Sequence, residues 1–228
     1  MAVTVFGASG RTGELVLAQA LKRGWPVRAL VRNPAKVAAA VGLSLVAGDA
    51  RDEAAIESVI DGPGGKAGAV LVALGMHDIT VPATDFSDSV KAIVAAMKRR
   101  GVRRIVAIAS GGVMDAPGGG YVNQQPGFPD YLVNISKEHV RNYETLRDAG
   151  LDWTLMCPMT LVDDITDGSA AWAFDRVPDG SGETARADLA RAMCDLLTER
   201  KAIGHRVGIV TLRRSAGMLA SNEPGAGT

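Results

Sequence analysis

Short runs of β-branched and apolar residues alternate along the chain with longer segments in which apolar residues recur every three or four positions. The short runs predict strands, and the longer segments predict helices. The predicted strands are 3–6, 27–31, 43–47, 69–74, 104–109, 153–157 and 206–212. The predicted helices are 13–23, a short one from 35, 52–60, 86–100, 130–149 and 188–198. This alternation predicts a doubly wound α/β fold, a parallel sheet with helices on both faces.

The rhythm is interrupted in the second half of the chain. Residues 115–129 are rich in Gly and Pro, which predicts a long, flexible loop. The pattern is weak over 159–185, which we expect to form a small C-terminal lobe on the substrate side of one domain spanning residues 1–212. The small and polar residues of 213–228 predict a disordered tail.

Composition narrows the class of protein. Twenty-five basic residues balance 25 acidic ones among 228, which argues against nucleic-acid or anionic-membrane partners. The hydrophobic content of 47% suits a folded core. The chain carries 27 glycines and only 4% aromatic residues, a balance that suits tight turns and close helix–sheet packing.

Targeting and cysteine signals point to a reducing compartment. The N-terminus lacks a signal-peptide pattern, and no apolar run reaches the roughly 20 residues that span a bilayer. Cys157 and Cys194 lie outside any CxxC pair, so we expect buried free thiols. No His, Asp and Glu cluster has metal-ligand spacing. These features predict a cytoplasmic protein without a metal site, and they leave the oligomeric state open.

The most specific motif is the glycine-rich turn GASGRTG at residues 7–13, between the first strand and the first helix. The first glycine permits a tight turn, the second lets the backbone approach a pyrophosphate, and the third lets the helix pack closely. A ligand-free turn is the alternative. The predicted cofactor contacts of this turn are Gly7, Ser9, Gly10, Arg11, Thr12 and Gly13.

Arg32 follows the second strand about 20 residues beyond the last glycine, where NAD sites usually carry an acidic residue. Its guanidinium favours a 2′-phosphate and therefore NADP(H). Arg11 can flank the same phosphate. A solvated strand-end arginine is the alternative for Arg32.

Further cofactor contacts are expected at the carboxyl ends of the strands, where such sheets bind ligands. Asp49 can meet the adenine amino group, but it can equally cap the helix that follows. The other predicted contacts of this edge are Ala50, Leu74, Gly75, Ser110, His139 and Pro158.

Several of these motifs together resemble the atypical short-chain dehydrogenases/reductases of the NmrA-like, NAD(P)-binding group. The resemblance rests on GASGRTG, the strand-end Arg32, the Gly-Asp-Ala at 48–50 and the Leu-Gly at 74–75, and it extends through Glu138-His-Val-Arg141 nearly to residue 210. It implies a Rossmann-like sheet with NADPH lying across its edge.

Two departures from this group put its usual chemistry in doubt. The Tyr-x-x-x-Lys pair is missing, and His139 stands where related proteins often carry the lysine. After the sixth strand, the flavin-reductase branch has Pro-Pro-His, whereas this chain has Cys157-Pro158-Met159. Met159 cannot relay a proton.

The candidate catalytic residues are Ser110 and His139, and the candidate substrate residues are His77, Tyr121 and Met159. The alternatives are a local backbone cap for Ser110, a buried hydrogen-bonded histidine for His139, a solvated loop residue for His77, loop anchoring for Tyr121 and core filling for Met159. An NADPH-dependent reductase acting on a flavin or a quinone is the first hypothesis. A non-catalytic NADP(H) sensor is the second.

Overall fold

The structure, a computed structural model, describes residues 1–76, 78–163, 166, 168–180 and 182–212. The helices are α1 (Arg11–Lys22), α2 (Glu53–Ile60), α3 (Asp85–Arg100), α4 (Val133–Arg147) and α5 (Arg186–Thr198). The strands of the first half are β1 (Val3–Phe6), β2 (Val27–Val31), β3 (Leu43–Ala47), β4 (Asp61–Gly62), β5 (Gly65–Lys66) and β6 (Ala69–Val72). Those of the second half are β7 (Arg104–Ile108), β8 (Asp152–Pro158), β9 (Thr160–Val162), β10 (Ala170–Phe174), β11 (Glu183–Ala185) and β12 (His205–Thr211).

The described residues form one large sheet of eight strands in the order β3-β2-β1-β6-β7-β8-β12-β10. Every neighbouring pair is parallel except β10 with β12, which is antiparallel. The chain therefore winds in one direction from β1 to β3 and in the other from β6 onwards. This confirms the predicted doubly wound, Rossmann-like α/β fold.

Helices cover both faces of this sheet and enclose two separate apolar cores. Alternate strand residues point to opposite faces, so Phe6 packs with α2, α3 and α4 while its neighbour Val5 packs with α1 and α5. Burial of the strand residues on both sides explains why the strands appear in the sequence as unbroken apolar runs.

Several element boundaries differ from the sequence prediction. Helix α1 begins at Arg11 rather than 13, because Gly10 has the extended backbone of a helix N-cap. The predicted strand 69–74 ends at Val72, and the predicted helix 130–149 begins as a 3₁₀ turn over Asp130–Leu132 before α4. Helix α5 begins at Arg186, two residues before its predicted start.

The region 159–185 contains more regular structure than its pattern indicated. Strands β9 and β11 pair in parallel, and β10 extends the main sheet as an antiparallel edge strand, so this segment is joined directly to the sheet. The loop 115–129 contains a bridge between Asp115 and Tyr121 and a 3₁₀ turn at Val122–Gln124. The predicted tail, residues 213–228, lies outside the described residues, as does His77.

Candidate cofactor and substrate site

The two halves of the sheet diverge between β1 and β6, which are paired from Val3 with Ala69 to Phe6 with Val72. In doubly wound sheets the crevice at such a switch point, outside the carboxyl ends of the strands, is the usual ligand site. The glycine-rich turn follows β1, and Leu74 and Gly75 follow β6, so the structure brings these predicted residues to the same crevice.

The three glycines of the turn differ in whether the fold itself requires a glycine at that position. Gly7 has a φ of 85°, and a β-carbon there would lie 2.5 Å from the carbonyl oxygen of Ala73. A β-carbon on Gly13 would overlap the carbonyl oxygen of Gly7, so this glycine lets α1 lie against β1. Gly10 differs from both, because its β-carbon would approach that oxygen only to 3.4 Å. The fold itself does not require a glycine at position 10.

The start of α1 is open to an anion. Gly10 has no side chain to cap the helix, and Ser9, Gly10 and Arg11 are exposed while Thr12 is half-buried. The first N–H groups of a helix have no partner within the helix, and they carry the positive end of its dipole. An uncapped, exposed helix start next to a glycine turn fits the pyrophosphate of a dinucleotide.

At the end of β2, where the sequence predicts contact with the adenosine half of the cofactor, Arg32 is exposed and makes no hydrogen bond or ion pair that the structure describes. Asp49 is engaged by Arg51, whose backbone and side-chain nitrogens each lie 2.9 Å from Asp49 Oδ1. The hydrogen bond from Arg51 lowers the pKa of Asp49, and the charge of Arg32 contributes in the same direction. Helix α2 is capped by Asp52, not Asp49, so the capping interpretation of Asp49 is wrong. Ala50, between Asp49 and Arg51, is half-buried at the edge of the core.

Arg11 pairs with a carboxylate from the second half of the chain. Its Nη1 lies 3.2 Å from Asp163 Oδ2, and the other oxygen of Asp163 accepts a hydrogen bond of 2.7 Å from Arg186 Nη1. Asp163 follows β9, and Arg186 opens α5, which packs beside α1. The structure therefore pairs Arg11 with this carboxylate, and the prediction that Arg11 and Arg32 flank one phosphate stays a prediction. Sequence reasoning missed Asp163, because 152 residues separate it from Arg11.

At the carboxyl end of β7, Ser110 directly precedes Gly111, and the side chain of Met159 lies beside Gly111. A β-carbon on Gly111 would fall 2.5 Å from Met159 Sδ. The backbone N–H of Met159 donates to Thr184 Oγ1 at 3.1 Å, which fixes the residue after Pro158. Ser110 is half-buried and its hydroxyl forms no cap on the following turn. The expected alternative for Ser110, a local backbone cap, is therefore wrong.

His139 is 7% exposed, with its ring edge-on to Phe86 of α3 at 5.4 Å between centroids. Burial lowers its pKa from 6.5 to about 4, so it is neutral near pH 7. Its Nδ1 has no partner in the described structure, so the hydrogen bond that the structural alternative requires is missing at this atom.

Other polar side chains share the buried face of α4, and sequence reasoning missed them. Ser136 and Asn142 are each 1% exposed and have polar atoms without partners in the described structure. Ser136 Oγ lies 2.8 Å from the position of a β-carbon on Gly112, and Ser110 Oγ lies 3.3 Å from it. The spacing of Ser136, His139 and Asn142, each three residues apart, was the available signal, since it places all three on one helical face.

Glu138 of α4 has a structural explanation. Its buried carboxylate accepts hydrogen bonds from the backbone N–H and the hydroxyl of Ser87, at 2.8 and 3.1 Å, and it also pairs with Arg141. Ser87 lies in the first turn of α3, so Glu138 caps a neighbouring helix and holds α3 against α4.

Tyr121 lies edge-on to Tyr143, with 6.0 Å between ring centroids, and Tyr143 in turn contacts Trp153 at the start of β8. The structure therefore anchors the Tyr121 ring on α4, and its contact with a substrate stays a prediction.

Other features limit the chemistry. The part of the chain that the structure describes brings no three His, Cys, Asp or Glu side chains together in a way that could hold a metal ion. Both cysteines are buried, and burial raises their pKa values. Within the same residues, no helix combines the length and apolarity needed to cross a membrane.

The strand order of the sheet, its switch point between β1 and β6 and the open start of α1 define a Rossmann-type protein. The residues at this switch point fit a dinucleotide. The chain belongs to the NAD(P)H-binding family, whose model matches residues 7–200. The family match therefore supports a nicotinamide cofactor for this protein.

Solved structures share the fold over nearly their whole length. A proposed epimerase from Bacteroides thetaiotaomicron has a TM-score of 0.80 and 22% identity, covering 94% of this chain and 98% of that one. A proposed NADH-flavin reductase from Streptococcus pneumoniae has a TM-score of 0.77 and 22% identity, covering 92% and 99%. A protein from Burkholderia pseudomallei, proposed to be exported, has a TM-score of 0.78 and 26% identity, covering 92% and 98%.

Proposed function

We propose that this protein is an NADPH-dependent reductase that transfers hydride to a planar acceptor such as a flavin or a quinone. The observation that carries the proposal is that Ser110 follows β7 and Met159 follows β8, with the Met159 thioether beside Gly111, at the sheet edge that also holds the glycine-rich turn. The Ser110 hydroxyl is free to orient a polar edge of the acceptor. The Met159 thioether offers an adaptable apolar surface to a flat ring.

The bound cofactor would supply a hydride from C4 of its nicotinamide ring. The residues of the chain bind and orient: the start of α1 binds the pyrophosphate, Arg32 binds the 2′-phosphate, and Ser110 donates a hydrogen bond to the acceptor. His139 is buried and neutral, and Met159 carries no proton, so neither serves as an acid near pH 7. An electron-poor isoalloxazine accepts hydride without a strong protein acid, which favours a flavin.

The preference for NADPH rests on Arg32. Its guanidinium is exposed and unpaired in the described structure, and the neighbouring carboxylate of Asp49 is engaged by Arg51. A free cation beside an occupied carboxylate suits a 2′-phosphate better than a ribose hydroxyl.

The same proposal includes the closer likeness to biliverdin-IXβ reductase, also called NADPH-dependent flavin reductase, which the segment Glu138–Arg141 suggests. Met159 stands where that enzyme carries a histidine beside the nicotinamide. We therefore expect flavin reduction to be much more efficient than biliverdin reduction in this protein.

The test is NADPH oxidation followed at its absorbance band with and without riboflavin, FMN or a naphthoquinone. We expect acceptor-dependent turnover on the order of 10 per second. Ser110→Ala should lower kcat/KM about two- to tenfold through loss of one hydrogen bond. Ser58→Ala, an exposed serine on α2, serves as the matched control. Absence of turnover with every flavin and quinone would refute the proposal.

A non-catalytic sensor of NADP(H) is the second candidate, favoured by the lack of a proton-relaying side chain at Met159 and by the buried state of His139. Tight cofactor binding without turnover on any acceptor, together with a partner that binds in only one cofactor state, would support it. A sugar-nucleotide epimerase is disfavoured, because Ile135 and His139 stand where Tyr and Lys would be expected on α4.

A further inference from the structure

A single carboxylate connects three segments around the phosphate-binding turn. Asp163, directly after β9, contacts Arg11 at the start of α1 and Arg186 at the start of α5. The side chain of Arg186 is only 9% exposed and its contact is short, at 2.7 Å. Arg11 is 74% exposed and its contact is longer, at 3.2 Å. The ion pair between Asp163 and Arg186 is therefore the fixed one. The ion pair between Asp163 and Arg11 is the one that can break so that Arg11 binds another anion.

A phosphate at the start of α1 would change the electrostatics of this cluster. The phosphate would attract Arg11, which belongs to the same turn, and it would repel Asp163, which carries the same sign of charge. An exposed ion pair contributes little to stability. A pyrophosphate with several charges can therefore displace Asp163 from Arg11, while Asp163 keeps Arg186 as its partner.

We propose that Asp163 is a built-in counter-anion of the phosphate site, which competes with the cofactor phosphates for Arg11 and so weakens cofactor binding. A reductase must exchange its cofactor after each turnover, and a competing carboxylate speeds that release. The inference goes beyond the proposed function. It needs only a nicotinamide dinucleotide in the crevice, not a flavin or quinone as acceptor.

Asp163→Asn tests this directly, because the amide removes the charge but still offers Arg186 an acceptor oxygen. Cofactor affinity is measured by fluorescence titration with NADPH and NADH, and dissociation by stopped flow. We expect a Kd lowered about two- to fivefold for both cofactors, mainly through slower dissociation. The Kd values for NADPH and NADH should both fall, because both cofactors carry the pyrophosphate. The difference from the original protein should shrink at high salt, since exposed charges are screened.

The control is Asp195→Asn, an exposed aspartate whose partner is Arg23, which should leave both Kd values unchanged. Asp163→Glu, which keeps the negative charge, should retain the affinity of the original protein. In an Arg11→Gln background, Asp163→Asn should have a much smaller effect, since only the direct repulsion between Asp163 and the phosphates remains. If Asp163→Asn unfolds, Asp163→Ser removes the charge while keeping a hydroxyl for Arg186.

An unchanged or raised Kd in the folded variant would overturn the proposal. An equally large fall in Kd in the Arg11→Gln background would do the same. These readouts do not depend on turnover, so they stand even where no acceptor is reduced.

Discussion

The proposed preference for NADPH over NADH depends on one exposed side chain, that of Arg32. It follows β2 at the edge where the adenosine half of a dinucleotide would lie, and the described structure gives it no ion pair. The side chain of Arg51 differs in this respect, since it is held by Asp49 and Asp85. An unpaired guanidinium binds a phosphate without first breaking a contact, so under the proposed function its whole interaction energy would contribute to recognition of the 2′-phosphate.

We predict that Arg32→Ala weakens NADPH binding about ten- to a hundredfold and NADH binding by much less. A charge-assisted hydrogen bond contributes about 1.5–3 kcal/mol, which corresponds to that range. Calorimetric Kd values for the two cofactors provide the measurement. Arg103→Ala, an exposed arginine paired with Asp152 at the other end of the sheet, is the control. Equal losses for NADPH and NADH would show that Arg32 does not read the 2′-phosphate.

Other residue roles depend on contacts that the sequence does not encode locally. Asp49 and Asp52 both precede α2, and only the backbone shows that Asp52 is its cap. Glu138 looked like a family signature, but its carboxylate caps α3, 51 residues away in sequence. The unpaired hydroxyl of Ser110 is likewise visible only once its turn is folded.

The glycine-rich turn behaves as one element with separable parts. Gly13 has a purely steric task, because any side chain there would meet the carbonyl of Gly7. A β-carbon on Gly10 would make only one contact, at 3.4 Å from the Gly7 oxygen, and the lack of a side chain at Gly10 leaves the start of α1 accessible. Packing and ligand approach are therefore assigned to different glycines of the same motif.

Substitution by alanine should separate these two tasks. We predict that Gly13→Ala lowers the free energy of unfolding by about 3 kcal/mol or more, a loss typical of overpacking in a tight site. Gly10→Ala should lose only about 1 kcal/mol, as a poor N-cap, yet raise the Kd for NADPH at least about tenfold by blocking the phosphate. Urea unfolding and cofactor titration measure the two effects. Gly118→Ala, in the open loop, is the control. Tight binding by Gly10→Ala would contradict this division of tasks.

The elements of the main sheet could be predicted from the sequence because buried parallel strands form continuous apolar runs. The short strands β9 and β11 and the edge strand β10 could not, because their pairing partners lie far along the chain and their residues show no clear alternation. The helix starts were misplaced by two residues at α1 and α5, where the caps carry no polar side chain to mark them.

At the scale of the whole molecule, the two faces of the sheet are not equivalent. The α1 and α5 face is closed by apolar packing, whereas the face of α2, α3 and α4 includes the buried polar row of Ser136, His139 and Asn142. Buried polar atoms without partners are costly, so this face is where the stability of the fold should respond most to conditions.

That asymmetry should make stability depend on pH through His139. Its pKa is about 4 in the folded protein and near 6.5 when exposed. Between these values only the unfolded chain binds the proton, so the free energy of unfolding falls as the pH falls, by about 3 kcal/mol at most. Carboxylates with lowered pKa values, such as Asp115, act in the same direction mainly at lower pH.

We therefore predict that urea unfolding at about pH 7, 5.5 and 4.5 gives steadily lower stability for the original protein. His139→Gln cannot bind the proton, so its stability should be nearly constant over the same range, whatever its absolute value. Ser58→Ala, which alters an exposed side chain that does not titrate, should keep the original slope. A slope in His139→Gln as steep as that of the original protein would mean that other groups on the α3–α4 face govern its response to acid.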